Sequence, residues 1–222
     1  MLDQLQRWWY RRSAGSGAMQ DYLSAPLPSR RRDARAVEYL ALDLETTGLN
    51  AKQDSIVSIG HLPIVEGRVR CADARHDFVR LNRSVEQSAA IHHIRDVDLD
   101  GADSEADALD AVLHALRGRV LLVHHAPLDL RFLQSACRRH YDTPLVCRVV
   151  DTLDLARRRR TRGNHEANEE ELRLHSLRRS YNLPRYPAHD ALSDALATAE
   201  LFLAMLPEWS GDDALSLRTI LR

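Results

Sequence analysis

The chain has almost no lysine, few aromatic residues, little cysteine and nearly no net charge. Of its 31 basic residues only Lys52 is a lysine, and aromatics make up 5% of its 222 residues. A net charge of −1 supplies no global basic field, so any nucleic-acid interface must be a local patch. The arginine bias reads as genomic composition, and it does not hinder phosphate binding, since guanidinium is the better phosphate fork. The three cysteines, Cys71, Cys137 and Cys147, are odd in number and lack metal-ligand spacing. They read as buried, reduced thiols. No run approaches the roughly 20 apolar residues of a membrane span, and no apolar run of signal-peptide length stands at the start. A cytoplasmic protein without a transmembrane segment is the expectation. The apolar share, 44%, is ample for a core, and no internal repeat is present.

Three regions differ in character. Residues 1–36 form a basic, amphipathic extension: Leu2, Leu5 and Trp9 fall near helical spacing, and Arg7, Arg11 and Arg12 surround Trp8, Trp9 and Tyr10. A Gly, Ser and Pro-rich stretch follows and ends in Arg30-Arg31-Arg32. The segment fits a helix packed on the domain and tethered by a linker. The alternative is a docking helix for a partner protein or a membrane-surface anchor. Residues 37–206 carry the core pattern, and 207–222 form a short tail.

Within the core, Glu38–Leu44 reads as a central strand, apolar on both faces. Ser55–Leu62 and Arg68–Arg70 read as a hairpin turning near Glu66-Gly67, and His76–Leu81 as a third strand. Helical periodicity marks Ser104–Leu116, Leu128–His140, Glu169–Tyr181 and Asp190–Leu206, the last ended by Pro207. Val120–His124 and Val146–Val150 read as buried strands. Early strands followed by alternating helices and strands predict an α/β fold, a mixed central β-sheet flanked by helices. Arg157–Arg160 with Arg162 form the one dense basic run. It reads as a solvated loop neutralised by Glu166 and Glu169–Glu171, or as a phosphate-tracking patch.

Asp43 and Glu45 are two apart on a strand, so both side chains leave one face. They stand at the carboxyl end of that strand, where open sheets gather their ligands, and Gly48 then allows a turn. Asp129 starts a helix just past a buried strand. His189 precedes a helix that carries Asp194 on its second turn, and Asp190 between them suits an N-cap. Four converging carboxylates make sense only with a cation, because two unit charges at about 4 Å repel by roughly 4 kcal/mol at an effective dielectric near 20. Oxygen-only ligands favour Mg²⁺ or Mn²⁺.

These segments, Leu42-Asp43-Leu44-Glu45-Thr46-Thr47-Gly48-Leu49, His124-His125-Ala126-Pro127-Leu128-Asp129 with Phe132-Leu133, and His189 separated by four residues from Asp194-Ala195, resemble the DEDDh family of 3′→5′ exonucleases, the proofreading-subunit type. The resemblance covers about residues 37–206 and implies a ribonuclease-H-like fold. It implies that Asp43, Glu45 and Asp194 hold one of two Mg²⁺ or Mn²⁺ ions. Asp43 would bridge to the second, which Asp129 contacts, and His189 would act as general base. An imidazole titrating near 6.5 suits that task. Thr46, Thr47 and Leu49 would surround the terminal nucleotide, His92 would lie beside its base, and His124 would line the pocket. His125 stands where relatives carry Asn, Leu128 where they carry Phe, and His93 where Gly is common. The substrate implied is a single-stranded or frayed 3′ end of DNA. The alternatives are an exoribonuclease, or a replication or repair interaction subunit of the same fold.

Overall fold

A computed structural model describes residues 2–81, 84–85, 88–163, 168–210 and 214–222. The chain opens with helices α1 (Leu2–Ser13) and α2 (Ala18–Ser24). Strands β1 (Tyr39–Thr46), β2 (Ile56–Val65), β3 (Arg68–Val69) and β4 (Arg75–Phe78) follow. Next come α3 (Ala89–His92), α4 (Glu105–Leu116), β5 (Val120–Val123), α5 (Ala126–Tyr141) and β6 (Val149–Asp151). The chain closes with α6 (Thr152–Arg162), α7 (Leu174–Ser180), α8 (Ala191–Ser210) and α9 (Leu217–Ile220). The sheet runs β3-β2-β1-β5-β6, with β4 also pairing β2. β1 is antiparallel to β2 and parallel to β5, and β5 is parallel to β6. This is the mixed, helix-flanked sheet expected from the sequence.

β1 sets the geometry of everything that follows. Its even residues Leu40, Leu42 and Leu44 pack with Leu109 and Leu113 of α4 and Phe132 and Leu133 of α5. Its odd residues Tyr39 and Ala41 pack with Ala195, Ala199 and Phe202 of α8, and the Tyr39 and Phe202 rings meet edge-on with centroids 4.7 Å apart. A strand buried on both faces is a central strand. Period-two alternation then carries Asp43 and Glu45 onto the face that α8 covers. Gly60 of β2 stands opposite Asp43. A Cβ there would overlap the backbone of Ala191 and Leu192, so its absence lets the first turn of α8 settle beside Asp43.

The first helices pack against the domain core. Met19, Tyr22 and Leu23 of α2 are buried in the same cluster as α4 and α5. α1, however, is inverted relative to its sequence pattern. Leu5 is 63% exposed and Trp9 60%, while Arg7 is 3% exposed. The Arg7 guanidinium donates to the carbonyls of Val146 (2.7 Å), Ala25 (3.0 Å) and Tyr22, and lies 4.2 Å from the Tyr22 ring centroid. Three carbonyl acceptors satisfy a charge that would otherwise cost several kcal/mol to bury.

Other differences have local causes. The basic run lies on helix α6, because Asp151 caps it and Leu155 and Ala156 are buried beneath it. α8 continues through Pro207 to Ser210. Trp209 packs against the α8-side core and is covered by Arg158 and Arg162, which holds the last turn in place. Glu169–Tyr181 divides into a 3₁₀ turn, Glu169–Leu172, and α7. Cys137 is buried, but Cys71 is exposed. Glu166 lies outside the described residues. Among those described, no helix is long and apolar enough to cross a membrane.

Candidate active site

The parallel strands β1, β5 and β6 end on one side of the sheet, and the acids gather there. Among the described residues, Glu45, His189 and Asp194 present ligand atoms that all lie within 4.8 Å of one another. Asp43 is pushed well above the usual carboxylate range by burial, then by the neighbouring charges of Asp129, Asp194 and Glu45. Burial raises Glu45 to about 7, with Asp194 and Asp190 adding to it. Asp129 rises to about 8, first through burial and then through Asp151 and Glu45. Asp194 is also raised by burial, against the pull of a hydrogen bond from the His189 backbone. The charges that weigh most on Asp43 are thus all carboxylates. Such a donor set fits a divalent cation, whose charge would offset the repulsion and hold the groups ionised.

His189 and Asp194 are tied together by the start of α8. His189 has φ 66°, a left-handed turn that aims its backbone N–H at Asp194 Oδ2, 2.8 Å away. Its side chain is exposed. Asp190 accepts from the Ser193 N–H at 2.8 Å, the cap expected of it, and lies 3.6 Å from His76 Nδ1 on β4.

The turn after β1 is built by its own polar groups. Thr46 Oγ1 donates to the Gly48 carbonyl at 2.7 Å, and Thr47 Oγ1 accepts from the Ser55 N–H at 3.0 Å. Gly48 leaves room for the Asp54 carboxylate, whose end lies where a Cβ would stand and which accepts from the Asn50 N–H at 2.9 Å. Leu49 projects from this turn, 73% exposed. His92 is buried, accepts from the Ile94 N–H at 3.1 Å, and has its pKa lowered by burial and then by His93 and His189, which sets it beside the site. The ring of His124 turns toward α6, with Nδ1 2.8 Å from Thr152 Oγ1, and burial lowers it to about 4. His93 and His125, which replace Gly and Asn of the resembled pattern, both have left-handed backbone, φ 59° and 76°. The structure therefore keeps the conformation that Gly and Asn favour.

Three residues at the site escaped sequence reasoning. Gly60 and His76 act through contacts between distant segments, for which no local signal exists. Asp151 did have one: like Asp43 it is an acid at the carboxyl end of a buried strand, and it precedes a helix as an N-cap should. The basic run of α6 is occupied elsewhere. Arg157 pairs with Glu169 and Arg158 with Asp154, both at 3.0 Å, while Arg159 meets Glu208 and Arg160 meets Glu171.

Fold and site together fit the nuclease class, and comparison with known proteins agrees. A family model described as exonuclease matches residues 40–202. The chain belongs to this exonuclease family, a class of hydrolases whose members use divalent metal ions, and shares the ribonuclease-H-like fold of its structural neighbours. It is 28% identical over 179 residues to a PolC-type DNA polymerase III of Lacticaseibacillus paracasei, covering 80% of this chain but 12% of that one. It is 29% identical to the DNA polymerase III subunit epsilon of Treponema pallidum, covering 77% of each chain. The nuclease domain of 3′hExo, a DEDDh family member solved bound to rAMP, superposes with a TM-score of 0.66 at 15% identity, covering 79% of this chain and 94% of that one.

Proposed function

We propose that this chain removes nucleoside 5′-monophosphates from the 3′ ends of single-stranded or frayed DNA with the help of two Mg²⁺ or Mn²⁺ ions. The observation that carries the reading is the convergence of Asp43, Glu45, Asp129 and Asp194 on one site, with His189 at its edge. Asp43, Glu45 and Asp194 would hold one ion, and Asp43 with Asp129 the other. When bound, such ions lower the pKa of a coordinated water and stabilise charge on the departing 3′-oxygen. His189, exposed on the loop before α8, accepts the proton of the attacking water at a ring nitrogen. The turn Thr46–Leu49 receives the terminal nucleotide, with the exposed Leu49 side chain against its base and His92 alongside. His124 supports the pocket from behind through Thr152.

Likeness to a DNA polymerase III epsilon subunit supports DNA as substrate. The rAMP bound to 3′hExo keeps RNA as the alternative. Digestion of 5′-labelled DNA and RNA strands of the same sequence tests both points. A descending ladder from DNA, slowed strongly by a 3′-phosphate, is expected. Efficient cutting of a closed circular single strand would mean endonuclease action and would sink the terminal-nucleotide assignment. Faster digestion of the RNA strand would transfer the reading to an exoribonuclease.

The outer face of α1 supports a second, smaller reading. Leu5, Trp8 and Trp9 stand exposed beside Arg11 and Arg12, on the side of the sheet away from the acids, since α1 is fastened to Val146 ahead of β6. Such a face suits a partner protein of a cytoplasmic replication or repair assembly. Replacing Trp8 and Trp9 by Ala should abolish co-purification with that partner while leaving nuclease activity intact; unchanged co-purification would remove this role.

A further inference from the structure

Asp151 ends β6 with its side chain 3% exposed. Its carboxylate accepts four backbone N–H groups. Oδ1 takes Leu153 (3.0 Å) and Asp154 (3.4 Å) at the start of α6, and His125 (3.0 Å) at the start of α5. Oδ2 takes Ala126 (2.9 Å), also of α5. One residue therefore caps its own helix and a second helix carried by the neighbouring strand. α5 depends on this help. Its N-cap residue is His125, in the left-handed region at φ 76°, and the His125 side chain makes no cap hydrogen bond. The geometry follows from the sheet: Val123 pairs with Asp151 across β5 and β6, and the two residues after Val123 turn the chain so that the first N–H groups of α5 point at the Asp151 oxygens. A helix start lacking such partners leaves its amides unsatisfied.

Asp129 lies one turn along α5. We infer that Asp151 is a positioning residue for Asp129: by gripping the first two amides of α5 it fixes the carboxylate that completes the second cation position. The inference rests on the nuclease reading above. Asp151 is not itself read as a cation ligand, because its oxygens already accept four hydrogen bonds. Outer groups that orient metal ligands are typically worth about 10–100-fold in metal affinity.

Calorimetric Mn²⁺ titration of the full chain, with single-strand digestion kinetics alongside, tests the assignment. Asp151→Asn keeps an acceptor at Oδ1 but sets an NH₂ group against the Ala126 N–H. Asp151→Ser keeps a good N-cap for α6 while giving up the reach to α5, so a folded variant survives if the first is unstable. Wild type should bind two ions. In both variants the weaker site should lose about 10–100-fold in affinity, the tighter site should stay within about threefold, and kcat should fall with KM little changed. If the variants keep both sites and the wild-type kcat, or lose both sites equally, Asp151 is only structural and the inference is overturned. If wild type binds fewer than two ions, the two-ion reading itself fails, and the inference fails with it.

Discussion

Glu45→Gln in the metal-free protein is the sharpest probe of electrostatic strain at the site. Glu45 is 8% exposed, and burial with the charges of Asp194 and Asp190 moves it from 4.5 to about 7. A displacement of that size corresponds to about 3 kcal/mol. The sign follows from proton counting. Between about pH 4.5 and 7 the folded protein holds a proton that the unfolded chain has released, so stability falls as pH rises through that window, and the loss is complete above it. Glutamine carries no charge at any pH and avoids the penalty. In EDTA the variant should therefore be more stable than wild type by about 3 kcal/mol at pH 8, by under about 1 kcal/mol at pH 5, and by nothing near pH 4. For a chain of this size the pH 8 difference is worth about 6–12 °C in Tm. Thermal unfolding followed by circular dichroism at pH 8 and pH 5 reads it directly. A variant no more stable than wild type at pH 8, or a gain of equal size at both pH values, would refute the crowded-carboxylate account.

Other perturbations act on geometry. Gly60→Ala forces a Cβ into the Ala191–Leu192 backbone; it should cost about 1–3 kcal/mol, seen as a lower Tm, and weaken Mn²⁺ binding by moving Asp194, whereas wild-type values for both would show that α8 is not seated on this glycine. His189→Ala should lower turnover by about 10²–10⁴-fold with Mn²⁺ affinity largely kept, and Asp194→Asn should weaken that affinity; calorimetry beside pH–rate profiles separates the two, and an unchanged rate in His189→Ala would dismiss His189 as the base. Arg7→Ala strands three backbone carbonyls and should cost about 2–4 kcal/mol, while Trp9→Ala should stay within about 0.5 kcal/mol; chemical denaturation of both checks the inverted orientation of α1.

How much could be read from the sequence depended on the range of the interactions involved. Asp43 and Glu45 were legible as a same-face pair because strand alternation is strictly local. The start of α8 was legible from Asp190 as a cap, and its carboxylate accepts from the Ser193 N–H. α6 was missed because four consecutive arginines mask a short apolar stripe, Leu155 and Ala156, and because what neutralises those arginines lies at Asp154, Glu169, Glu171 and Glu208. α1 was left open for a different reason. Its periodicity suited either burial of Leu5 and Trp9 or their display to a partner, and the carbonyls of Tyr22, Ala25 and Val146 form a socket for Arg7 that no local pattern announces, since it is assembled from separate segments. The role of Gly60 was invisible on the same grounds.

A cation-dependent nuclease centre built from the converging carboxylates has one decisive consequence. The measurement that tests it most directly is nucleotide release from a 5′-labelled single strand in EDTA and after Mg²⁺ or Mn²⁺ is restored, for wild type and Asp43→Ala. No release is expected in EDTA, full recovery for wild type once the cation returns, and none for Asp43→Ala under any condition. Robust release by the chelated wild type, or by Asp43→Ala with cation present, would contradict it.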